Sequence, residues 1–112
     1  MNIQLELTVQ DHIGILSFER GKVNAFDRDA KFAFADMIDK VNVNHDVRVL
    51  ILRSKARGFT GGSDVTGFED FSHENMAHYL EGDCRLMDSI KSCRVPVIMA
   101  LNRFAVGLGV GI

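Results

Sequence analysis

At 112 residues the chain is the size of one small domain, able to bury roughly two-thirds of the surface its unfolded form exposes. Its 13 Lys and Arg against 15 Asp and Glu leave a net charge of −2, which excludes the broad basic field used to bind nucleic acid or an anionic membrane surface. A hydrophobic share of 46% with a single proline excludes a disordered or low-complexity chain.

The amino-terminal stretch MNIQLELTVQDH alternates and carries acidic residues. It lacks the basic start and unbroken apolar run of a secretory signal, so a cytoplasmic location is expected. Ile3, Leu5, Leu7 and Val9 recur with period two and predict a half-buried strand. A polar turn at Gln10 and Asp11 leads into HIGILSFER, read as its hairpin partner. Between residues 27 and 41, Ala30, Ala33, Phe34, Met37, Ile38 and Val41 fall at helical spacing, with Asp27 placed to cap the amino end. VRVLILRS is aliphatic on both faces and predicts a strand buried on two sides. A second helix is expected from about Ser72 to Ser92, with a buried stripe of Met76, Leu80, Cys84, Met87 and Ile90. VPVIMAL supplies a further buried strand. The order β, β, α, β, glycine-rich loop, α, β, glycine-rich loop is that of an α/β domain with crossover helices. Both glycine-rich loops follow buried strands, where ligands gather in open α/β folds, so the two are expected to face one another across a site.

Cys84 and Cys93 are nine residues apart, which fits neither a disulfide framework nor a CxxC motif, and two buried, reduced thiols are expected. Residues 95–112 form the most apolar segment. Read as a membrane span, the segment is at the lower length limit, and Arg103 near its centre would cost about 2.5 to 3.5 kcal/mol. We therefore expect no membrane association, and expect this segment to pack against structure that the 112 residues do not contain.

Several chemical patterns are incomplete. GLGVG at 107–111 imitates a dinucleotide fingerprint but lacks its third glycine and an acidic ribose ligand. Ser63, Asp64 and His73 supply the residue types of a nucleophilic triad, yet GGSDV is not the GxSxG elbow. His73 and His78, five residues apart, project about 140° from one another on a helix, so no metal pair is formed and no metal is expected. Each of the four histidines reads as solvated or locally hydrogen-bonded.

Three segments taken together say more. GKVNAFD at 21–27, GFTGGSDVTGFEDF at 58–71 and CRVPVIMALNRFAVGLGVGI at 93–112 resemble, in order and spacing, the amino-terminal part of the enoyl-CoA hydratase/isomerase (crotonase) family. VNVNHDVRVLILRS between them is similar to that family's helix end and following strand. The resemblance covers this whole chain but under half of a typical member, and implies residues 1–112 of a crotonase-like ββα spiral, truncated at its carboxyl end. The activity it implies is stabilisation of a thioester enolate by two backbone N–H groups, here those of Ser63 and Leu108. Fixed donors of this kind are worth about 2.7 to 4 kcal/mol each in other oxyanion holes. Gly61 and Gly62 would permit the close backbone approach. By the same resemblance Lys22, Val23 and Ala25 line the coenzyme A portion, and Asp64 and Val65 flank the acyl thioester. Coenzyme A enters as part of the substrate, with no separate cofactor, and the complete family member is a trimer-based homo-oligomer.

The chain departs from the pattern at four places. Leu108 replaces the glycine common at the second donor, and Arg103 stands where a glycine usually follows Asn102. The first catalytic glutamate of the hydratases would fall at Gly111, and the second would lie beyond Ile112. Two-carboxylate hydration is therefore disfavoured, and FTGGSDVTGFEDF with AVGLGVGI looks closer to the isomerase branch. Hydratase, isomerase and dehalogenase-like chemistry stay open. So does a non-catalytic alternative, in which the chain binds acyl-CoA or pairs its apolar end with another subunit.

Overall fold

The computed structural model describes residues 2–64 and 73–105. Strand β1 (Gln4–Gln10) and strand β2 (Ile13–Glu19) form an antiparallel hairpin, with Leu5 opposite Phe18 and Leu7 opposite Leu16. The turn is Asp11-His12 rather than Gln10-Asp11. Both residues take positive φ, 53° and 67°, as the twist of a two-residue hairpin loop demands. His12 Nδ1 lies 3.0 Å from the Asp46 carbonyl, a contact across 34 residues rather than the local hydrogen bond expected of the histidines.

After the short strand β3 (Ala25–Phe26), helix α1 (Arg28–Asn42) starts where expected. Asp27 caps it, its carboxylate accepting the Ala30 N–H at 2.8 Å. Strand β4 (Val49–Ser54) follows, then β5 (Gly62–Ser63), helix α2 (His73–Lys91) and β6 (Val97–Ala100). Among the described residues the strands make two sheets, β1-β2-β4-β6 and β3-β5. The pairs β2-β4 and β4-β6 are parallel, as crossover helices require.

The core lies between the larger sheet and the helices. Phe18 from β2 meets Phe26, Phe34 and Phe59 edge-on, with centroids 5.7, 5.2 and 5.3 Å away. This arrangement suits the ring quadrupoles. Phe59 belongs to the loop after β4, so the same cluster that holds α1 to the sheet anchors that loop.

Some sequence expectations are corrected. Strand β4 buries one face only, through Leu50 and Leu52, while Val49 and Ile51 are half-buried and Arg53 is exposed. Strand β6 likewise alternates, with Ile98 52% exposed. On α2 the expected stripe is displaced: Leu80 and Cys84 are exposed, and the buried face runs through Gly82, Leu86 and Ser89. The reason is the seam with α1. A Cβ at Gly82 would lie 3.1 Å from Lys31 Cδ and 3.4 Å from Arg28 Cα, so the helices meet at the smallest residue rather than along the bulkiest ones. Ion pairs flank that contact, Arg28 with Glu81, Lys31 with Asp83, and Arg85 with Asp36 and Asp39. The two thiols are free, but Cys84 is exposed, lying off the buried face of α2, and Cys93, past the end of that helix, is half-buried against the core. Among the described residues no helix is long and apolar enough to cross a membrane.

Candidate functional site

The site begins where β2 ends. The Arg20 N–H donates to Asn24 Oδ1 at 2.7 Å, which folds residues 20–24 into a tight loop. Asn24 has φ 51°, a left-handed conformation that asparagine tolerates better than most side chains. It is fully buried, and its amide donates to Ser54 Oγ at 2.6 Å and to the Phe59 carbonyl at 3.1 Å. Its own carbonyl accepts the Thr60 hydroxyl at 2.6 Å. One side chain and its peptide thus fasten the loop after β2 to the loop after β4.

The second loop approaches a third. Phe59 N–H donates to the carbonyls of Asn102 and Phe104 at 3.0 and 2.9 Å, and Thr60 bridges Ala105 in parallel fashion. Asn102 Nδ2 donates to the Arg57 carbonyl at 3.0 Å. The loops after β4 and β6 therefore run side by side as far as residue 105, while the second glycine-rich segment, 107–111, lies outside the described residues. Arg103 takes φ 53°, a conformation that explains why glycine would suit its position.

In this frame the Ser63 amide has a defined direction. Strand β5 pairs with β3 through Phe26, whose carbonyl accepts the Asp64 N–H at 2.8 Å. In a parallel ladder the residue opposite such a pairing point directs its own N–H and C=O to the other side, so the Ser63 N–H points away from β3. Its neighbours are engaged internally. Gly61 N–H donates to the Val23 carbonyl at 2.7 Å, and Gly62 N–H to Thr60 Oγ1 at 3.0 Å. Gly62 adopts φ 91°, open to glycine and strained for other residues, and this kink turns the chain into the Ser63 peptide.

Beside this turn lies a groove of about 960 Å³. Its walls include Glu19, Lys22, Val23, Lys55, Arg57, Arg103 and Phe104. Four cations against one carboxylate give an otherwise slightly acidic chain the local positive cluster an anionic ligand requires. Val23 and Phe104 add apolar surface to the same walls.

Lys55 also reaches Glu6 on β1. The hydrogen bond from Lys55, followed by its charge, holds the Glu6 carboxyl below its ordinary value of 4.5. A lowered carboxyl binds fewer protons folded than unfolded, so its stabilising contribution is present above the ordinary value and is lost as pH falls through the lowered one. Both groups are exposed, so the effect is small. Urea denaturation is expected to show wild type above Glu6→Gln at pH 7, with the gap closing in acid as pH falls below 4.5. A gap that widens in acid would contradict the assignment.

The expected site residues divide as follows. Lys22 and Val23 line the groove. Ala25 sits on β3 opposite Gly62. The Asp64 carboxylate accepts a hydrogen bond from Arg20 at 2.9 Å. Val65, Leu108 and Gly111 lie outside the described residues. Sequence reading missed Asn24 and Arg20, although an asparagine within KVNAF and an arginine closing a hydrophobic strand were both visible. It also missed Lys55, Arg57 and Phe104 as groove residues, since only the fold brings them beside Lys22.

The sequence model of the enoyl-CoA hydratase/isomerase family matches residues 8–112. Two similar proteins are both named (7aS)-7a-methyl-1,5-dioxo-2,3,5,6,7,7a-hexahydro-1H-indene-carboxyl-CoA hydrolase. The protein of Mycobacterium tuberculosis is 35% identical over 80% of this chain and 37% of its own length. The protein of Rhodococcus jostii is 30% identical over 91% of this chain and 40% of its own. A crystal structure of an enoyl-CoA hydratase/isomerase (crotonase) from Legionella pneumophila superposes with TM-score 0.87 at 29% identity, covering 96% of this chain and 43% of that one. The α/β architecture is thus part of the crotonase fold, and the chain spans about two-fifths of the length of the relatives it matches. The motif resemblance, the superposition and the match over residues 8–112 agree: this chain belongs to the enoyl-CoA hydratase/isomerase (crotonase) family.

Proposed function

We propose that the chain forms the coenzyme A-binding and oxyanion-stabilising half of an acyl-CoA thioester site. The observation that carries this reading is the Ser63 peptide, turned outward from β3 by Gly62 and set near a groove with four cationic side chains. Lys22, Lys55, Arg57 and Arg103 would face the phosphates of coenzyme A, with Val23 and Phe104 against its apolar parts. The Ser63 N–H, with that of Leu108 by family resemblance, would donate to the thioester oxygen as negative charge develops there. Such donors act without reorganising, so they stabilise the enolate more than the ground state. The relatives' names, which include a carboxyl-CoA moiety, support a substrate of this class.

Proton transfer needs a carboxylate as well. The family position for the first one is Gly111, which has no side chain, so the chain alone is expected not to hydrate or isomerise crotonyl-CoA at a measurable rate. The homo-oligomer of the complete family member, or further chain, would supply the missing group. A non-catalytic reading, in which the chain acts as an interaction fragment, is favoured by Ile98 and Leu101, which stand 52% and 65% exposed at the β6 end of the sheet. In that case light scattering would report self-association, and acetyl-CoA would not bind.

The test is calorimetric titration with acetyl-CoA and with free coenzyme A. Acetyl-CoA is expected to bind more tightly by about 1 kcal/mol, roughly fivefold, the net worth of one hydrogen bond. Ser63→Pro removes the amide donor without touching the ladder bond from Asp64, and is expected to abolish that preference while free coenzyme A still binds. Equal affinities in the wild type would overturn the reading.

A further inference from the structure

A single guanidinium joins the elements around the Ser63 peptide. Arg20 Nη1 donates to the Ala25 carbonyl at 2.7 Å and to Asp64 Oδ2 at 2.9 Å, while Nη2 donates to Asp27 Oδ2 at 2.9 Å. The side chain is only 9% exposed and that of Asp64 19%, so the hydrogen bond to Asp64 is shielded from solvent, whereas Asp27 is 38% exposed. The three acceptors lie on β3, on the cap of α1 and immediately after Ser63. The planar fork of arginine suits this task, and a lysine ammonium would not span the three in the same geometry.

Ser63 itself lies between a glycine at φ 91° and this anchored aspartate. The ladder bond from the Asp64 N–H to the Phe26 carbonyl holds one side of this turn, and the Asp64 carboxylate on Arg20 adds a second anchor beside the permissive glycine. We infer that Arg20 is a positioning residue that fixes the direction of the Ser63 N–H through Asp64, and so sets how well the site distinguishes a thioester from free coenzyme A. The discrimination rests on the oxyanion reading of Ser63, whereas the mechanical link from Arg20 to Ser63 does not.

The experiment compares wild type with Arg20→Met, Arg20→Lys, Asp64→Asn and the Arg20→Met/Asp64→Asn double variant. Calorimetry with acetyl-CoA and free coenzyme A is combined with amide resonances and hydrogen exchange at Ser63 and Asp64. In both single removals the two amides shift, and the Asp64 N–H, bonded to the Phe26 carbonyl, exchanges about tenfold faster. The roughly fivefold preference for acetyl-CoA falls to parity, while affinity for free coenzyme A stays. The double variant is no worse than Arg20→Met, because both changes break one link. Arg20→Lys keeps the charge but recovers little of the preference. Should Arg20→Met fail to fold, Asp64→Asn reads the same link from its other end. Unmoved Ser63 and Asp64 amides, or an intact thioester preference in both folded single variants, would overturn the inference. A purely structural role would lower Tm and leave the preference unchanged. If wild type shows no preference, the oxyanion reading fails, and the amide measurements still decide whether Arg20 holds Ser63.

Discussion

Asn24→Ala is expected to be the most damaging single substitution in the chain. The truncation removes the acceptor of the Arg20 N–H and the donor to Ser54 Oγ and the Phe59 carbonyl, in a fully buried place. Each partner left unsatisfied costs about 1 to 3 kcal/mol, so a total loss of about 3 kcal/mol or more is expected. In a small domain that is a large share of the whole stability, and thermal unfolding followed by circular dichroism should show a fall in Tm of ten degrees or more, by the usual scaling of about 4 to 8 degrees per kcal/mol. Asn24→Gly separates the two causes. It loses the same hydrogen bonds but relaxes the left-handed φ of 51°, and is expected to be more stable than Asn24→Ala by about 1 kcal/mol. Equal stabilities would mean that backbone conformation contributes nothing at this position.

The second large effect is expected at Gly58. A Cβ built there would lie 2.1 Å from the Phe104 ring, a clash that only displacement of the ring or of the loop can relieve. Overpacking of this kind costs about 1 to 3 kcal/mol, and Gly58→Ala is expected near the middle of that range. Because Phe104 is part of the groove wall, coenzyme A affinity should fall with it. The check is a double-mutant cycle. Phe104→Ala removes the obstruction, so Gly58→Ala should cost far less in that background, and additive losses would show that the ring is not the obstacle.

These two residues also show where sequence reading succeeds and stops. The α1 boundaries followed from an aspartate placed before an amphipathic run, since capping and periodicity are local properties. Strand β1 and its partner were legible for the same reason. The buried face of α2 was not, because a bulky stripe through Leu80 and Cys84 looks more core-like than one through Gly82 and Ser89. Only the approach of α1 at Gly82 makes the smaller residues the buried ones. In the site, the glycine pair before Ser63 signalled a special backbone, and Gly62 indeed has φ 91°. Asn24 and Arg20 escaped notice because their partners, Ser54, Phe59 and Asp64, are distant in sequence. The basic groove escaped for the same reason: the net charge of −2 says nothing of Lys22, Lys55, Arg57 and Arg103 lining one groove.

That distance in sequence carries a consequence for synthesis on the ribosome. Asn24 and Ser54 are 30 residues apart, Arg20 and Asp64 44, and Asn102 and Arg57 45. Loop closure must precede each of these contacts, and Thr60 gains its bridge only when Ala105 is present. As the chain emerges vectorially, the β1-β2 hairpin and α1 have their local partners early, whereas the Ser63 peptide lacks its full support until the residues after β6 have left the exit tunnel. Among the described residues, the part that would bind ligand is thus braced later than the hairpin and α1. A nascent chain paused before residue 102 would already present its hydrophobic strands but no ordered groove, an interval in which apolar surface is open to misassociation.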